Sequence, residues 1–451
     1  MTQARLFIIL WLGVYLCVTF FYSYKHAIQM GYGFPIVQSY DAEYEYIGAT
    51  VYLFKQGRYW TDCRMPGFAI IYSLFYAPTR SERFANLAYV LLCFGTLLLS
   101  IGISLLYVLR RTQQVWILHC IGFLWATNPI VHRWPWVETD AMAIGTFSLG
   151  LLALFRAHYL LSGLLLALTI FLRPITGVIL PFVGLRIWAE RGFPLPWQWL
   201  SFRAIWITFL PFLLMESAWI MRNYYHYADL RPFHGTRTIF NEPCHDTPAR
   251  EGYPLLIRLG MATDNTLSNL FAHGRGVDSS IFMTFVPQKY LSSESLKLLQ
   301  SIISKQAVPD SQKSCEYLLE IEIAQRTLAC QIAIPPHVRI YNRLRHAFLG
   351  DIAHLHQETS FLNMLLYAWH HPLHTLSAVA FVGLHLAFMW LLLRVILGLS
   401  SWISLVTASL GFCPMWAHLA IGIVDHRYLT TYVPIAALTL IVGWQSSKPR
   451  R

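Results

Sequence analysis

Between Tyr40 and Pro66, just past the first apolar stretch, the chain sets Asp41, Glu43, Glu45, Asp62 and Arg64 among tyrosines. Carboxylates gathered this way suit general-base work, the orientation of a polar acceptor, or pairing with cations. If Tyr40 to Ala49 forms a short helix at an interface, Asp41 and Glu45 share a face and Glu43 points elsewhere. A solvated acidic loop is the other reading of the same residues. Cations able to meet an anionic group recur further along, at Arg64, Arg173, Arg222, Arg231 and Arg427, the last beside His426. Glu138 and Asp140 follow Trp134-Pro135-Trp136. They could orient an acceptor, share a metal with Asp41, or cap a helix N-terminus, where negative charge is favourable.

These residues need a scaffold, and the composition names its solvent. Of 451 residues 56% are hydrophobic and 13% charged, and the mean hydropathy is +0.46, which places the chain in a bilayer. Apolar runs at 6–24, 84–109, 115–131, 141–155, 159–172, 175–188, 204–221, 373–393, 402–424 and 428–444 predict about ten membrane helices with both chain ends on one side. The first has no small-residue cleavage site after it and reads as a retained helix. With that count Arg5, Arg110, Arg111, Arg156, Arg186, Arg191, Arg203, Arg394, Lys448, Arg450 and Arg451 fall on one face, as the positive-inside rule asks of the cytoplasmic side. The formal net charge of +11 is then mostly topology. Its scatter over short loops excludes a nucleic-acid stripe.

The acidic loop, the His132–Asp140 turn, Arg173, the long segment after Arg222 and the Asp425–Arg427 turn fall on the opposite face. Arg173-Pro174 splits two runs that each reach only about 21 Å, less than a hydrocarbon core of about 30 Å. An arginine at such a depressed tip is costly unless it meets an anion. That anion is either a ligand phosphate or an internal carboxylate such as Glu216, and Arg222 faces the same choice.

The domain expectation is a transmembrane module at 1–221 carrying the first outer loop at 25–83, an extracytoplasmic, mainly helical domain at 222–371, and C-terminal transmembrane helices at 372–451. Helical periodicity is clear at Ser293–Val308, at Cys315–Cys330 and from Val338 onward. Cys63, Cys244, Cys315 and Cys330 face outward, where disulfides or packed free thiols are both open. If Cys315 to Cys330 is one helix, its ends lie roughly 22 Å apart and cannot bond to each other. His370-His371-Pro372-Leu373-His374 reads as a helix start at an interface more than as a metal site. No metal-ligand set is assigned, and a divalent ion stays open as a cofactor.

The order of motifs resembles the GT-C class of membrane glycosyltransferases. It is most similar to the family 39 relatives that include protein O-mannosyltransferases and lipid-A aminoarabinose transferases. The residues that carry this are Tyr40-Asp41 with Tyr44 and Ile47-Gly48-Ala49, Gly57-Arg58-Tyr59, Arg64-Met65-Pro66-Gly67-Phe68, Leu172-Arg173-Pro174, Met221-Arg222-Asn223-Tyr224, and Arg427-Tyr428 with Pro434. Residues from about 240 to 341 match no named pattern. Many relatives carry a second acid directly after the first, and Ala42 stands there in this chain, which leaves that role to Glu43 or Glu138.

The resemblance implies an all-α polytopic enzyme of the bacterial inner membrane with its active site on the extracytoplasmic face. It would move a sugar, with inversion, from a polyprenyl-phosphate carrier to a lipid, glycan or protein acceptor. Asp41 would be the general base, and Arg64, Arg173, Arg222, His426 and Arg427 would bind the donor phosphate. A secondary transporter or lipid flippase is the alternative. A repeated half with matched broken helices, which that class would favour, is not legible.

Overall fold

The computed structural model describes residues 2–29, 36, 46–57, 66–112, 114–190, 203–227, 230, 291–306, 308, 314–332, 335–338, 340, 372–421 and 430–446. The chain forms two compact units, one of residues 1–237, 379–414 and 430–451, the other of 238–378 and 415–429.

In chain order the first unit opens with α1 (Thr2–Gln29), α2 (Ala49–Gln56), α3 (Gly67–Thr79), α4 (Glu82–Thr112) and α5 (Val115–Thr127). It continues with α6 (Asp140–Phe155), α7 (Tyr159–Leu172), α8 (Leu180–Glu190) and α9 (Arg203–Tyr227). After α10 (Ser293–Gln306) and α11 (Cys315–Gln331) come α12 (Pro372–Ile396), α13 (Trp402–Ile421) and α14 (Val433–Ser446). Among the described residues five helices are long and apolar enough to cross a membrane, and five shorter apolar ones accompany them. Large apolar side chains stay exposed along α1 (Leu6, Ile9, Leu10, Phe21) and α12 (Val379, Leu386, Met389, Ile396). Faces of that kind are unstable in water and belong against lipid. The protein is an all-helical, polytopic, integral membrane protein.

Helix α6 is the hub of the bundle, because every residue of it except Leu149 is buried. It packs between α4 and α7. Polar stitches hold it there: Ser100 Oγ donates to the Gly145 carbonyl at 2.8 Å, and the Thr146 and Thr169 hydroxyls share a hydrogen bond of 2.8 Å. Helix α7 lies in turn on α9, where Gly163 meets the Thr208 backbone at a spacing that leaves no room for a β-carbon. Further along, Ala167, Ile170 and Phe171 share one core cluster with Phe212 and Trp219. The register advances in the same direction on both helices, so α7 and α9 run parallel and Arg173 and Arg222 close the same end of the pair.

Two departures from the sequence expectation have local causes. The run expected as a helix over 175–188 begins as a 3₁₀ segment, Pro174–Ile179, and becomes α-helical only at Leu180. Pro174 lacks an N–H and disfavours helical backbone at the residue before it. Arg173 accordingly takes extended angles, φ −142° and ψ 90°, and the Thr176 hydroxyl donates back to its carbonyl at 2.7 Å. The second departure is α3, which was not read as a span. It is helical but about 20 Å long. It stops where Arg80 turns left-handed at φ 52° and donates its N–H to the Tyr76 carbonyl at 2.7 Å.

In the second unit α10 and α11 pack on each other, each near a length the periodicity predicted. Leu299, Ile302, Ile321 and Leu328 are fully buried. The hairpin is tied at one end by Ser295 donating to Gln331 at 3.2 Å, and at the other by Lys305 and Glu320 at 2.9 Å. Ser314 caps α11 by accepting from the Tyr317 N–H. Since Cys315 and Cys330 stand at opposite ends of α11, the geometric exclusion of a bond between them stands. Cys63 and Cys244 lie outside the described residues.

Candidate active site

The connection from Asn128 to Asp140, between α5 and α6, is the strand of chain to which the candidate residues lead. Asn128 starts it: its side-chain amide donates to the Thr430 carbonyl at 2.8 Å, and its Oδ1 accepts from the Ile130 N–H at 2.9 Å. Thr430 follows Arg427 by three positions. A 3₁₀ turn, Val131–Arg133, follows. His132 is 1% exposed, its Nε2 donates to the Ala126 carbonyl at 2.8 Å, and Ser23 Oγ donates to its own carbonyl at 2.5 Å. Burial among Tyr15 and Tyr22 lowers the His132 pKa from 6.5 to about 4. The ring stays neutral and donates in one tautomer.

Four charged side chains follow. Asp140 Oδ1 forms an ion pair with Arg173 Nη2. Arg133 Nη1 stands 3.9 Å from Glu138 Oε2 and 3.9 Å from Asp140 Oδ2. Side-chain exposure is 17% for Arg133, 15% for Arg173, 8% for Glu138 and 4% for Asp140. Among the described residues two guanidinium groups and two carboxylates therefore share this largely buried place. Pairing of opposite charges is what makes such burial tolerable, since an isolated buried charge costs several kcal/mol. The Arg133 guanidinium also lies over the Trp136 ring, 4.3 Å from its centroid, a contact that holds its plane.

Around this quartet the described ends of the other motifs converge. Tyr46, the first described residue after the acidic loop, is buried with its hydroxyl 3.4 Å from the Thr139 hydroxyl. Its ring packs on Phe68 at 5.1 Å, and Phe68 packs on Tyr89 at 4.8 Å. The Tyr89 hydroxyl donates to the Glu138 carbonyl at 2.8 Å. Gly67 abuts the chain just before Arg173: a β-carbon there would lie 2.5 Å from the Phe171 carbonyl and 2.6 Å from the Leu172 nitrogen. Arg222 stands at the end of α9 with its guanidinium over the Trp219 ring at 4.8 Å, donating to Asn223 Oδ1 at 2.9 Å. Trp219 belongs to the cluster that contains Phe171 and Ala69.

The structure thus pairs Asp140 with Arg173 directly and links Glu138 to Asp140 through Arg133. It leads Arg222 to the same end of the bundle without giving it a contact in the quartet. Asp41, Glu43, Glu45, Asp62, Arg64, Arg231, His426 and Arg427 lie outside the described residues, as do His370 and His371. Two readings are corrected. The internal carboxylate that meets Arg173 is Asp140, where Glu216 was the example expected; Glu216 is buried within α9. Asp140 is the first residue of α6 while Thr139 occupies the cap position without a side-chain cap bond, so the Asp140 carboxylate serves an arginine more than the helix end. Arg133 was missed by the sequence reading. The signal was its place seven residues before Asp140 in an aromatic turn, but hydropathy gives no clue that the turn folds back. Among the described residues no three His, Cys, Asp or Glu side chains gather as metal ligands.

No family model matches the chain, and no curated protein matches it. Among solved structures, the crystal structure of ArnT from Cupriavidus metallidurans in the apo state is similar to it, over 99% of this chain and 78% of that one, with 13% sequence identity and a TM-score of 0.37. That likeness runs along nearly the whole chain, at an identity and overlap too low to assign an activity.

Proposed function

We propose that the protein is a glycosyltransferase of the GT-C type that moves a sugar from a polyprenyl-phosphate carrier to an acceptor on the extracytoplasmic face. The observation that supports this best is the convergence of separate motifs on one short connection. Tyr46 in the first outer loop, Arg173 itself and Thr430 after Arg427 each touch the 128–140 segment, and Phe68 after Arg64 packs on Tyr46. An enzyme needs groups from distant parts of the chain held at one place, and this arrangement suits that.

In this reading the acceptor hydroxyl or amine attacks the anomeric carbon from the face opposite the phosphate. Asp41 takes the acceptor proton as the new bond forms, and the anomeric C–O bond breaks with its electron pair going to the carrier phosphate. Phosphate is already a good leaving group and needs cations more than an acid. Arg64, Arg173, Arg222, His426 and Arg427 are the groups to supply them. Asp140 has a positioning role, holding Arg173 by one edge of a guanidinium that offers five donors. Glu138 and Glu43 are the acids left to orient the acceptor.

The test is the lipid that travels with the protein. Protein extracted in mild detergent should carry a polyprenyl phosphate, or its glycosylated form, identifiable by mass spectrometry of the organic extract. The carrier should be depleted in Arg173→Ala and Arg222→Ala preparations of equal monodispersity. An extract with ordinary phospholipids alone, in wild type and variants alike, would leave the donor assignment without support.

A further inference from the structure

At the other end of the bundle, where α4 finishes and α5 begins, a cleft of about 570 Å³ opens against the last turns of α14. Arg111, Gln114, Trp116, Cys120, Leu440 and Trp444 are among its lining residues. Its volume lies within the range of about 300–1,000 Å³ usual for small-molecule sites. Three features define its chemistry. The walls are mostly apolar and Trp116 and Trp444 are exposed at them, as tryptophans are where headgroups meet acyl chains. The charge is all of one sign: Arg111 lines the cleft, and Arg394 lies over the Trp444 ring at 5.0 Å. Neither arginine has a carboxylate partner among the described residues. Arg394 donates instead to the Ser400 hydroxyl and the Leu399 carbonyl. Arg111 shares the Tyr107 ring with a further cation, Arg156, at 5.5 and 5.7 Å.

Glu190 near this group pairs with Arg186, so Arg111 and Arg394 keep no carboxylate of their own among the described residues. Cations of that kind at the rim of an apolar slot in a membrane protein are complementary to a molecule with an anionic head and hydrocarbon tails. We propose that this cleft is a binding site for an anionic phospholipid. Its phosphate would lie against Arg111 within reach of Arg394, and its acyl chains along Trp116 and Leu440. Basic pockets between transmembrane helices bind acidic lipid headgroups in this manner. The site is separate from the Arg133–Asp140 quartet and would tie the closing helix α14 to the α4–α5 hairpin through the lipid.

Cys120, exposed within the cleft, reports occupancy. Full-length protein is placed in nanodiscs of phosphatidylcholine with or without phosphatidylglycerol, and maleimide modification of Cys120 is followed by peptide mass spectrometry. Phosphatidylglycerol should slow modification about fivefold, which is about 1 kcal/mol, the size of one basic residue at a lipid surface. Arg111→Gln should abolish the difference, Arg111→Lys should keep part of it, and Arg394→Gln should weaken it. Should Arg111→Gln prove unstable, Arg394→Gln alone decides the outcome. Equal protection by phosphatidylcholine, or protection unchanged in Arg111→Gln and Arg394→Gln, would overturn the proposal. Protection that follows protein concentration instead of lipid charge would overturn it in favour of a second copy of the chain.

Discussion

Asp140, at the first position of α6, forms a buried ion pair with Arg173, the residue at which α7 gives way to the 3₁₀ segment that precedes α8. The pair joins a helix buried along nearly its whole length to the one arginine that the sequence places below the membrane surface. It fixes where that guanidinium can go.

Asp140→Asn removes one charge of an ion pair whose arginine side chain is only 15% exposed. Removal of one partner from a buried pair costs about 3–5 kcal/mol, so the variant should lose thermal stability by that order. Asp140→Asn combined with Arg173→Met should recover part of the loss. Differential scanning of the three proteins and wild type, read as a double-mutant cycle, measures the coupling. Purely additive losses would mean that the pair is not formed.

Gly67→Ala places a methyl group against the Phe171 carbonyl, backbone that cannot rotate away. Overpacking of this kind costs about 1–3 kcal/mol, and here it also pushes on the residues just before Arg173. The variant should lose stability, and any turnover, together. Gly95→Ala in α4 meets nothing within 4 Å and should cause no loss in the same thermal assay, since a helix interior favours alanine over glycine.

His132 gives the stability curve a pH dependence of definite sign. The unfolded chain takes up a proton near 6.5, while the folded protein holds the ring neutral down to about 4. The contribution is therefore fully present above 6.5 and is lost as pH falls from 6.5 towards 4, in total by roughly 3 kcal/mol. His132→Phe should flatten the plot of unfolding midpoint against pH within that window, while the slope outside it is unchanged.

Asn128→Ala removes the donor to the Thr430 carbonyl and the acceptor for the Ile130 N–H. With both groups buried, the cost should be about 1–3 kcal/mol. Hydrogen exchange should rise at residues 430–432 and 130–131 more than elsewhere. A uniform rise would show that Asn128 does not act through this tie.

Much of the scaffold was legible in the sequence because lipid sets a coarse and periodic code. Runs at 84–109, 141–155 and 204–221 became α4, α6 and α9 within a few residues, and Arg173-Pro174 marked the break between α7 and the next helix. The short apolar run that forms α3 follows directly on the Arg64–Phe68 motif and reads in the sequence as part of the outer loop, although it is as long as α5. The code was silent on partners. Glu216 and Asp140 are both carboxylates near predicted outer ends, and only the fold of the 128–140 connection decides that Asp140 meets Arg173. Arg133 was hidden for the same reason: its role comes from a turn folded back over Trp136, and no hydropathy pattern encodes that. Residue types picked out Glu138 and Arg173, while their juxtaposition came from packing.

The most direct test of the central claim is turnover by Asp41→Asn. Purified wild-type and variant protein are given a polyprenyl-phosphate sugar and an acceptor, and release of free polyprenyl phosphate is followed alongside carrier binding. Loss of a general base should lower turnover by roughly 10²–10⁴-fold with carrier affinity little changed. Release by Asp41→Asn at the wild-type rate would contradict the account.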